Sequence, residues 1–169
     1  MKGLTRFVAV TAFILAIGFL TRPTLAQQSP EEKKLETLRK KSSAIEESAL
    51  KELKRLIDRC EKNRLNYECQ HVAQTLLVIS DGNELAKKLV EEKKKEDRVL
   101  RLELRVAFAN EFQKVREKYS KQYSDLARWC TSQKLEEAKQ KCIEIALKLD
   151  SENNAAHTMM GQAYVKGYG

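Results

Sequence analysis

The stretch that decides the fold is LARWCTSQKLEEAKQKCIEIALKLDSENNAAHTMM, residues 126–160, because it repeats an earlier part of the chain. Shifted by 70 positions, it lies over LIDRCEKNRLNYECQHVAQTLLVISDGNELAKKLV, residues 56–90, without a gap. Identical pairs are Leu56/Leu126, Cys60/Cys130, Leu65/Leu135, Gln70/Gln140, Leu77/Leu147, Asn83/Asn153 and Ala86/Ala156. Apolar residues, turn residues and a cysteine match in one frame, so we interpret the two stretches as copies of one structural unit.

Each copy is predicted to form a helix, a turn, a second helix, a second turn and the start of a third helix. The first turn falls at 61–64 and 131–134, and the second at 80–83 and 150–153. This is an αα-hairpin leading into the next helix, the unit from which helical solenoids are stacked. Neither hairpin can cover its apolar stripe alone, so the copies are expected to pack on each other or on the helices between them.

The rest of the chain is also predicted to be helical. No proline follows Pro30, and Ser29-Pro30-Glu31-Glu32 has the pattern of a helix start. The segment 84–131 lacks proline and glycine, which predicts a long connecting helix. Residues 100–108 also alternate as a strand would, but the helical stripe continues beyond Phe108 and favours a helix. A straight helix over 84–131 would be about 70 Å long, so a bend within 91–98 is expected.

A resemblance to the tetratricopeptide repeat rests on the second copy. His157-x-x-Met160-Gly161-x-x-Tyr164 has the spacing of the family's Trp-x-x-Leu-Gly-x-x-Tyr. Ala138-x-x-x-Cys142 has its Ala-x-x-x-Phe spacing, and 147–153 is similar to its inter-repeat turn. The resemblance is good over 122–166 and fair over 53–90, where Glu68 stands at the small-residue position. It implies an all-α fold of antiparallel αα-hairpins, a short helical solenoid with a long connecting helix.

The same resemblance implies which residues pack repeats together or contact a partner. Small residues at Ala138 and Gly161 would let helices approach closely. Core packing is the simpler interpretation of the larger side chains, and a contact surface is the alternative. The candidate residues are Trp129, Ala138, His157, Met160, Gly161 and Tyr164.

The first 26 residues have the pattern of a signal peptide. Lys2 and Arg6 precede an apolar run, Phe7 to Leu20, and Thr24-Leu25-Ala26 supplies a cleavage site. The run is shorter than the roughly 20 residues of a spanning helix, although an uncleaved anchor remains the alternative. We therefore expect an exported protein, periplasmic or secreted, whose mature domain is 27–169 and which has no stable membrane insertion after cleavage. Cleavage would lower the net charge from +8 to +5.

Four cysteines fall in that mature chain, two in each copy. In an oxidising compartment their even number is consistent with disulfides within the hairpins, Cys60 with Cys69 and Cys130 with Cys142. The alternative is that they are buried free thiols, which act as small apolar side chains. A zinc site is disfavoured because spacings of nine and twelve fit no usual ligand pattern.

No catalytic constellation is visible in the sequence. The two histidines, His71 and His157, lie in different copies without a nearby nucleophile pattern. There is no phosphate loop, nucleophile elbow or metal motif, so no cofactor is expected. The basic residues do not form an arginine-rich stripe with aromatics, so nucleic acid is not an expected partner. The sequence predicts that the protein is not an enzyme.

Two functional hypotheses remain. The first is a scaffold or adaptor of the cell envelope that holds a protein or peptide partner of unknown identity in a concave helical face. The second is a holdase-like periplasmic chaperone whose long basic helices clasp unfolded clients. Self-association through the last helix is a further expectation, because that helix would lack its usual repeat partner.

Overall fold

The computed structural model describes residues 29–91 and 102–161, so the predicted signal segment and Tyr164 lie outside the described residues. Within these ranges 87% of residues are helical and no strand occurs. The six helices are α1 (Pro30–Lys62), α2 (Asn66–Ile79), α3 (Glu84–Glu91), α4 (Leu102–Gln133), α5 (Glu136–Leu149) and α6 (Asn154–Met159). The predicted all-α class is confirmed, and α4 contains residues 102–108 of the stretch that also resembled a strand.

The predicted long connecting helix falls partly outside this description. The structure has two helices over that segment, α3 ending at Glu91 and α4 beginning at Leu102. The place predicted for a bend, 91–98, lies outside the described residues except for Glu91.

The chain divides into two compact units, Met1–Leu35 and Glu36–Gly169. In the first, the described part contains the start of α1, which has a capping box. The amide of Ser29 donates to the Glu32 carboxylate at 2.8 Å, and the amide of Glu32 donates to the Ser29 hydroxyl at 3.1 Å. These reciprocal bonds satisfy two amides that a helix start would leave unpaired, as the Ser-Pro-Glu-Glu pattern predicts.

In the second unit, both copies make the same first turn. One residue adopts a left-handed conformation, Arg64 with φ 56° and Lys134 with φ 62°. The amide of the next residue, a leucine in each copy, donates to the carbonyl of the cysteine five positions earlier, at 2.9 and 3.0 Å. This is a Schellman motif, which satisfies the last carbonyls of a helix and reverses the chain. Equivalent side chains thus adopt equivalent backbone geometry 70 residues apart.

The second turn is also repeated. Asn83 precedes α3 and Asn153 precedes α6, and each side-chain oxygen accepts a hydrogen bond from the backbone amide three residues later, at 3.0 Å in both copies. Asparagine is a preferred residue for this N-cap role. Both turns therefore lie where the repeat predicts them.

The two copies meet through α1 and α4, which run antiparallel. Successive contacts lie closer to the C-terminus of α1 and closer to the N-terminus of α4. The Lys41 ammonium lies 5.7 Å from the centre of the Trp129 ring, Ser48 and Tyr119 hydroxyls are 3.0 Å apart, Lys118 pairs with Glu52 at 2.8 Å, and Arg59 pairs with Glu111.

These contacts relate the copies by an approximate two-fold axis. If 70 is added to Lys41 and subtracted from Trp129, the pair becomes Glu111 and Arg59, which is also a contact. The axis therefore passes near Leu50 and Ser120. In a stacked solenoid, equivalent helices are related by a small rotation and run roughly parallel. The antiparallel pairing of α1 and α4 departs from the short solenoid that the sequence predicted.

The remaining helices complete the second unit around this pair. α5 packs along α4 as an antiparallel hairpin, and α2 contacts both α4 and α5. The short third helices occupy matching places, α3 on α2 and α6 on α5. The fully buried side chains include Leu53 and Leu56 of α1, Val72 and Leu76 of α2, Phe108 and Tyr119 of α4, and Ile143 and Leu149 of α5.

One buried polar network occurs in the second copy and not in the first. The Asn153 amide donates to the Ser120 hydroxyl at 2.6 Å and to the Ser124 hydroxyl at 2.9 Å. Ser120 donates in turn to the Ala146 carbonyl at 2.7 Å. Both serines are buried, so these bonds compensate for their desolvation. In the first copy, Leu50 and Lys54 stand at the equivalent positions, and Asn83 therefore acts in its cap alone.

We expect Asn153→Ala to destabilise the protein more than Asn83→Ala. Loss of the cap alone costs about 1 kcal/mol. Loss of the Asn153 network also leaves buried hydroxyls with fewer partners, which adds about 1–3 kcal/mol. Urea unfolding followed by circular dichroism measures both variants. Equal losses would contradict a stabilising role for the network.

Glycine at the left-handed positions is expected to stabilise the fold. A left-handed conformation costs a residue other than glycine about 1–2 kcal/mol. Replacement by glycine removes this cost, but the greater flexibility of glycine in the unfolded chain lowers stability by about 0.5–1 kcal/mol. Arg64→Gly and Lys134→Gly should each raise the free energy of unfolding by up to about 1 kcal/mol. Arg64→Ala and Lys134→Ala are the controls, because alanine keeps the backbone penalty, and a similar gain in them would refute this explanation.

Candidate functional site: a groove between α2 and α4

Apart from Tyr164, the residues that the tetratricopeptide resemblance selected lie on α4, on α5, and in or just after α6. Trp129 and Ala138 are partly buried and pack against the core. The His157 ring nitrogen lies 2.8 Å from the Ser151 carbonyl, within the turn before α6. Met160 is exposed, and Tyr164 lies outside the described residues.

Gly161 does not have the packing role that the sequence predicted. It follows α6 instead of lying in a helix, and it has φ 74°. A Cβ added there would meet no atom of the described chain within 4 Å. The reason for glycine is therefore conformational, because a positive φ is accessible to glycine at little cost.

The four cysteines are free and buried, which corrects the predicted disulfides. Burial raises the pKa of Cys142 to about 12, with a smaller contribution from Cys130 beside it. Burial also raises the pKa of Cys60 and of Cys130. The symmetric spacing about the turn placed the thiols near one another, but in the structure they fill the hairpin core as small apolar groups.

We expect all four thiols to be protected in the folded protein. A thiol reagent such as 5,5′-dithiobis(2-nitrobenzoate) should react slowly with the native chain, because the reactive thiolate is disfavoured by burial. Four equivalents should react once the chain is unfolded in denaturant without reductant. Recovery of two or fewer equivalents would mean that the mature protein contains a disulfide.

A groove of about 450 Å³ lies between the start of α2 and the first half of α4. Its lining residues are Tyr67, Glu68, His71, Arg105, Val106, Phe108, Ala109, Phe112, Gln113 and Arg116. One side of the groove is formed by side chains of α2 and the other by side chains of α4. Concave sites between helices are common places for ligand and partner binding.

The apolar part of the groove is aromatic and partly open to solvent. The rings of Phe108 and Phe112 have centroids 6.3 Å apart; Phe108 is buried and Phe112 is partly buried. On the facing helix, Tyr67 and His71 make an edge-to-face contact at 4.4 Å. Tyr67 is 55% exposed and Val106 is 52% exposed, so two apolar side chains stand at the rim.

The charged part of the groove is an imperfect ion pair. Arg105 Nε lies 3.5 Å from a carboxylate oxygen of Glu68, whose side chain is only 13% exposed. Arg105 Nε and the other Glu68 oxygen are buried and make no hydrogen bond with the described residues. The pair neutralises charge but leaves hydrogen-bonding capacity unused, which is uncommon for buried polar atoms. A third charged group, Arg116, has its guanidinium 5.9 Å from the Phe112 ring centre.

The opposite side of α4 is held by ion pairs to α1. Arg55 and Arg59 both contact the Glu111 carboxylate, the first at 2.7 Å. About two turns further along α4, Lys118 pairs with Glu52 at 2.8 Å. Burial raises the pKa of Glu52, but the Lys118 ammonium and nearby cations outweigh burial, and the pKa ends below its ordinary value. These contacts fix the position of α4 and so of the groove residues that it carries.

Sequence reasoning missed this groove. Glu68 stood out only as a departure from the small residue expected there, and His71 only as an isolated histidine. The sequence of α4 has the pattern of an ordinary amphipathic helix at Arg105, Phe112 and Arg116. The available signal was Glu68 itself, because a carboxylate at a packing position predicts a nearby cation.

Within residues 29–91 and 102–161, no group of three or more His, Cys, Asp or Glu residues is arranged to hold a metal ion. None of the helices in these ranges combines the length and the apolar composition needed to cross a membrane.

Comparisons with family models, with curated proteins and with solved structures give no match for this chain.

Proposed function

We propose that this protein is a non-enzymatic interaction protein, a scaffold or adaptor of the cell envelope that binds a protein or peptide partner through the groove between α2 and α4. The observation that carries the proposal is the exposure of Tyr67 and Val106 beside the half-buried Phe112. Aromatic residues at the edge of a concave surface are typical anchors for partner proteins.

The proposal also draws on the tetratricopeptide resemblance at the level of the hairpin. Repeated helix pairs serve mainly as recognition surfaces. The Schellman turn and the asparagine cap occur in both copies, which supports a duplicated helical unit. Because α1 and α4 pair antiparallel, the binding surface would be the groove between α2 and α4 and not the concave face of a continuous superhelix.

A non-enzymatic role is consistent with the state of the nucleophile candidates. The cysteines are buried with raised pKa values, so the thiolate that would attack a substrate is disfavoured. His157 contacts a backbone carbonyl in a turn, and His71 lies against Tyr67. These two contacts, with a backbone carbonyl and a phenol ring, differ from the nucleophile–base pairing that base catalysis uses.

Site-specific photo-crosslinking in the native cells tests the proposal. A photoreactive amino acid at Val106 should crosslink the partner, whereas the same amino acid at Leu85, an exposed apolar position on α3, is the matched control. We expect one stoichiometric partner with Val106 and little or none with Leu85. The recovered chain should begin at Gln27 if export and cleavage follow the predicted signal.

The other outcomes distinguish the competing hypotheses. A broad range of crosslinked clients would favour the holdase-like chaperone. A crosslinked dimer of this chain would favour self-association. Absence of any crosslink at both positions would refute the adaptor proposal for this surface.

A further inference from the structure

From the same groove we infer the chemistry of its occupant: an acidic amphipathic helical segment of a partner protein, with large apolar side chains on one face and carboxylates at both ends of that face. The inference rests on the proposed function, because it names the partner class for the same surface.

The spacing of the two arginines sets the length of the occupant. Arg105 and Arg116 are eleven residues apart on α4, so they lie about 16 Å apart along the helix. The aromatic floor lies between them, formed by Phe108 and Phe112. Three turns of a second helix span the same distance. Its apolar side chains at positions i, i+4 and i+7 would cover the floor, as in other helix-in-groove complexes.

The charge of the groove selects acidic flanks. Glu68 is the one carboxylate among its described lining residues, and it is already paired with Arg105. Arg116 contacts the Phe112 ring and the Gln113 side chain, neither of which carries a negative charge to neutralise it. The lining therefore has an excess positive charge at a partly desolvated surface, where a guanidinium binds carboxylates in paired hydrogen bonds.

The same geometry disfavours two other occupants. A second copy of this chain would bring its own arginines to the contact if it bound through the same face, and like charges would oppose that interface. An anionic membrane would meet the rim of the groove, but a planar surface does not reach a floor formed by Phe108 and Phe112 between two helices. A narrow segment with side chains on one face fits the concave shape.

Binding of designed peptides to the full-length protein tests the inference. The first probe is a labelled peptide of about 16 residues, long enough to be partly helical, with leucines at i, i+4 and i+7 and glutamates at both ends of that face. The second probe replaces the glutamates with lysines, and the third replaces the leucines with alanines. Fluorescence anisotropy should detect the first peptide and give at least about tenfold weaker binding for the other two.

Matched variants of the protein locate the binding surface. Arg116→Glu should lower the affinity for the acidic peptide by about tenfold or more, and Val106→Asp should have a similar effect. Arg128→Glu is the control, because Arg128 lies on the same helix, is 61% exposed, and pairs with Asp125 away from the groove. It should change the affinity by less than about twofold, as expected for an exposed charge outside the contact. Arg105 is left unchanged, since its removal would leave Glu68 buried without a cation.

The outcomes separate this inference from the proposed function. Equal binding of the acidic and lysine peptides, or equal weakening by Arg116→Glu and Arg128→Glu, would overturn the acidic-helix inference. Binding of anionic vesicles in preference to the acidic peptide would also overturn it. If a single partner is captured through Val106 in cells while the acidic peptide fails to bind, the adaptor proposal stands and the inferred partner chemistry is wrong.

Discussion

The structure of the second unit depends on the packing of α1 against α4. These helices have 33 and 32 residues, and neither can shield its apolar stripe from water alone. Leu53 and Leu56 of α1 and Phe108 and Tyr119 of α4 are buried in the interior of the unit. Exposed ion pairs contribute little stability, so the apolar contact supplies most of the free energy. The polar pairs along its length fix the register and direction of the two helices.

The two copies share their turns but have diverged in their interiors. In the second copy, Asn153 binds two buried serines, which ties α6 to α4. In the first copy the equivalent serine positions hold Leu50 and Lys54, so α3 has no such anchor. The copies also differ at a position in the groove. The first copy has Glu68 there, and the second copy has the small residue Ala138 at the equivalent position. The second copy is thus held by a buried hydrogen-bond network, and the first copy contributes to an open groove.

The groove lies partly in the copy with the weaker tetratricopeptide resemblance. That copy supplies Tyr67, Glu68 and His71, and the rest of the lining comes from α4 before the second copy begins. A carboxylate at a packing position needs a cation, and Arg105 from α4 meets that need at 3.5 Å. Phe108 is buried nearby, and Phe112 remains partly exposed. A departure from a family pattern was therefore more informative about the candidate site than the residues that follow the pattern.

The sequence by itself determined the helices and both turns of each copy, because these depend on local interactions such as caps, backbone conformation and the spacing of apolar residues. It left the state of the cysteines open, and it misjudged Gly161, whose φ depends on how α6 ends. Only the tertiary structure decided that α1 and α4 run antiparallel. The same stripes allow parallel stacking or two-fold pairing, and the choice depends on contacts between residues 50–90 positions apart. For the same physical reason the groove, whose lining comes from two helices distant in sequence, could not be read from either helix alone.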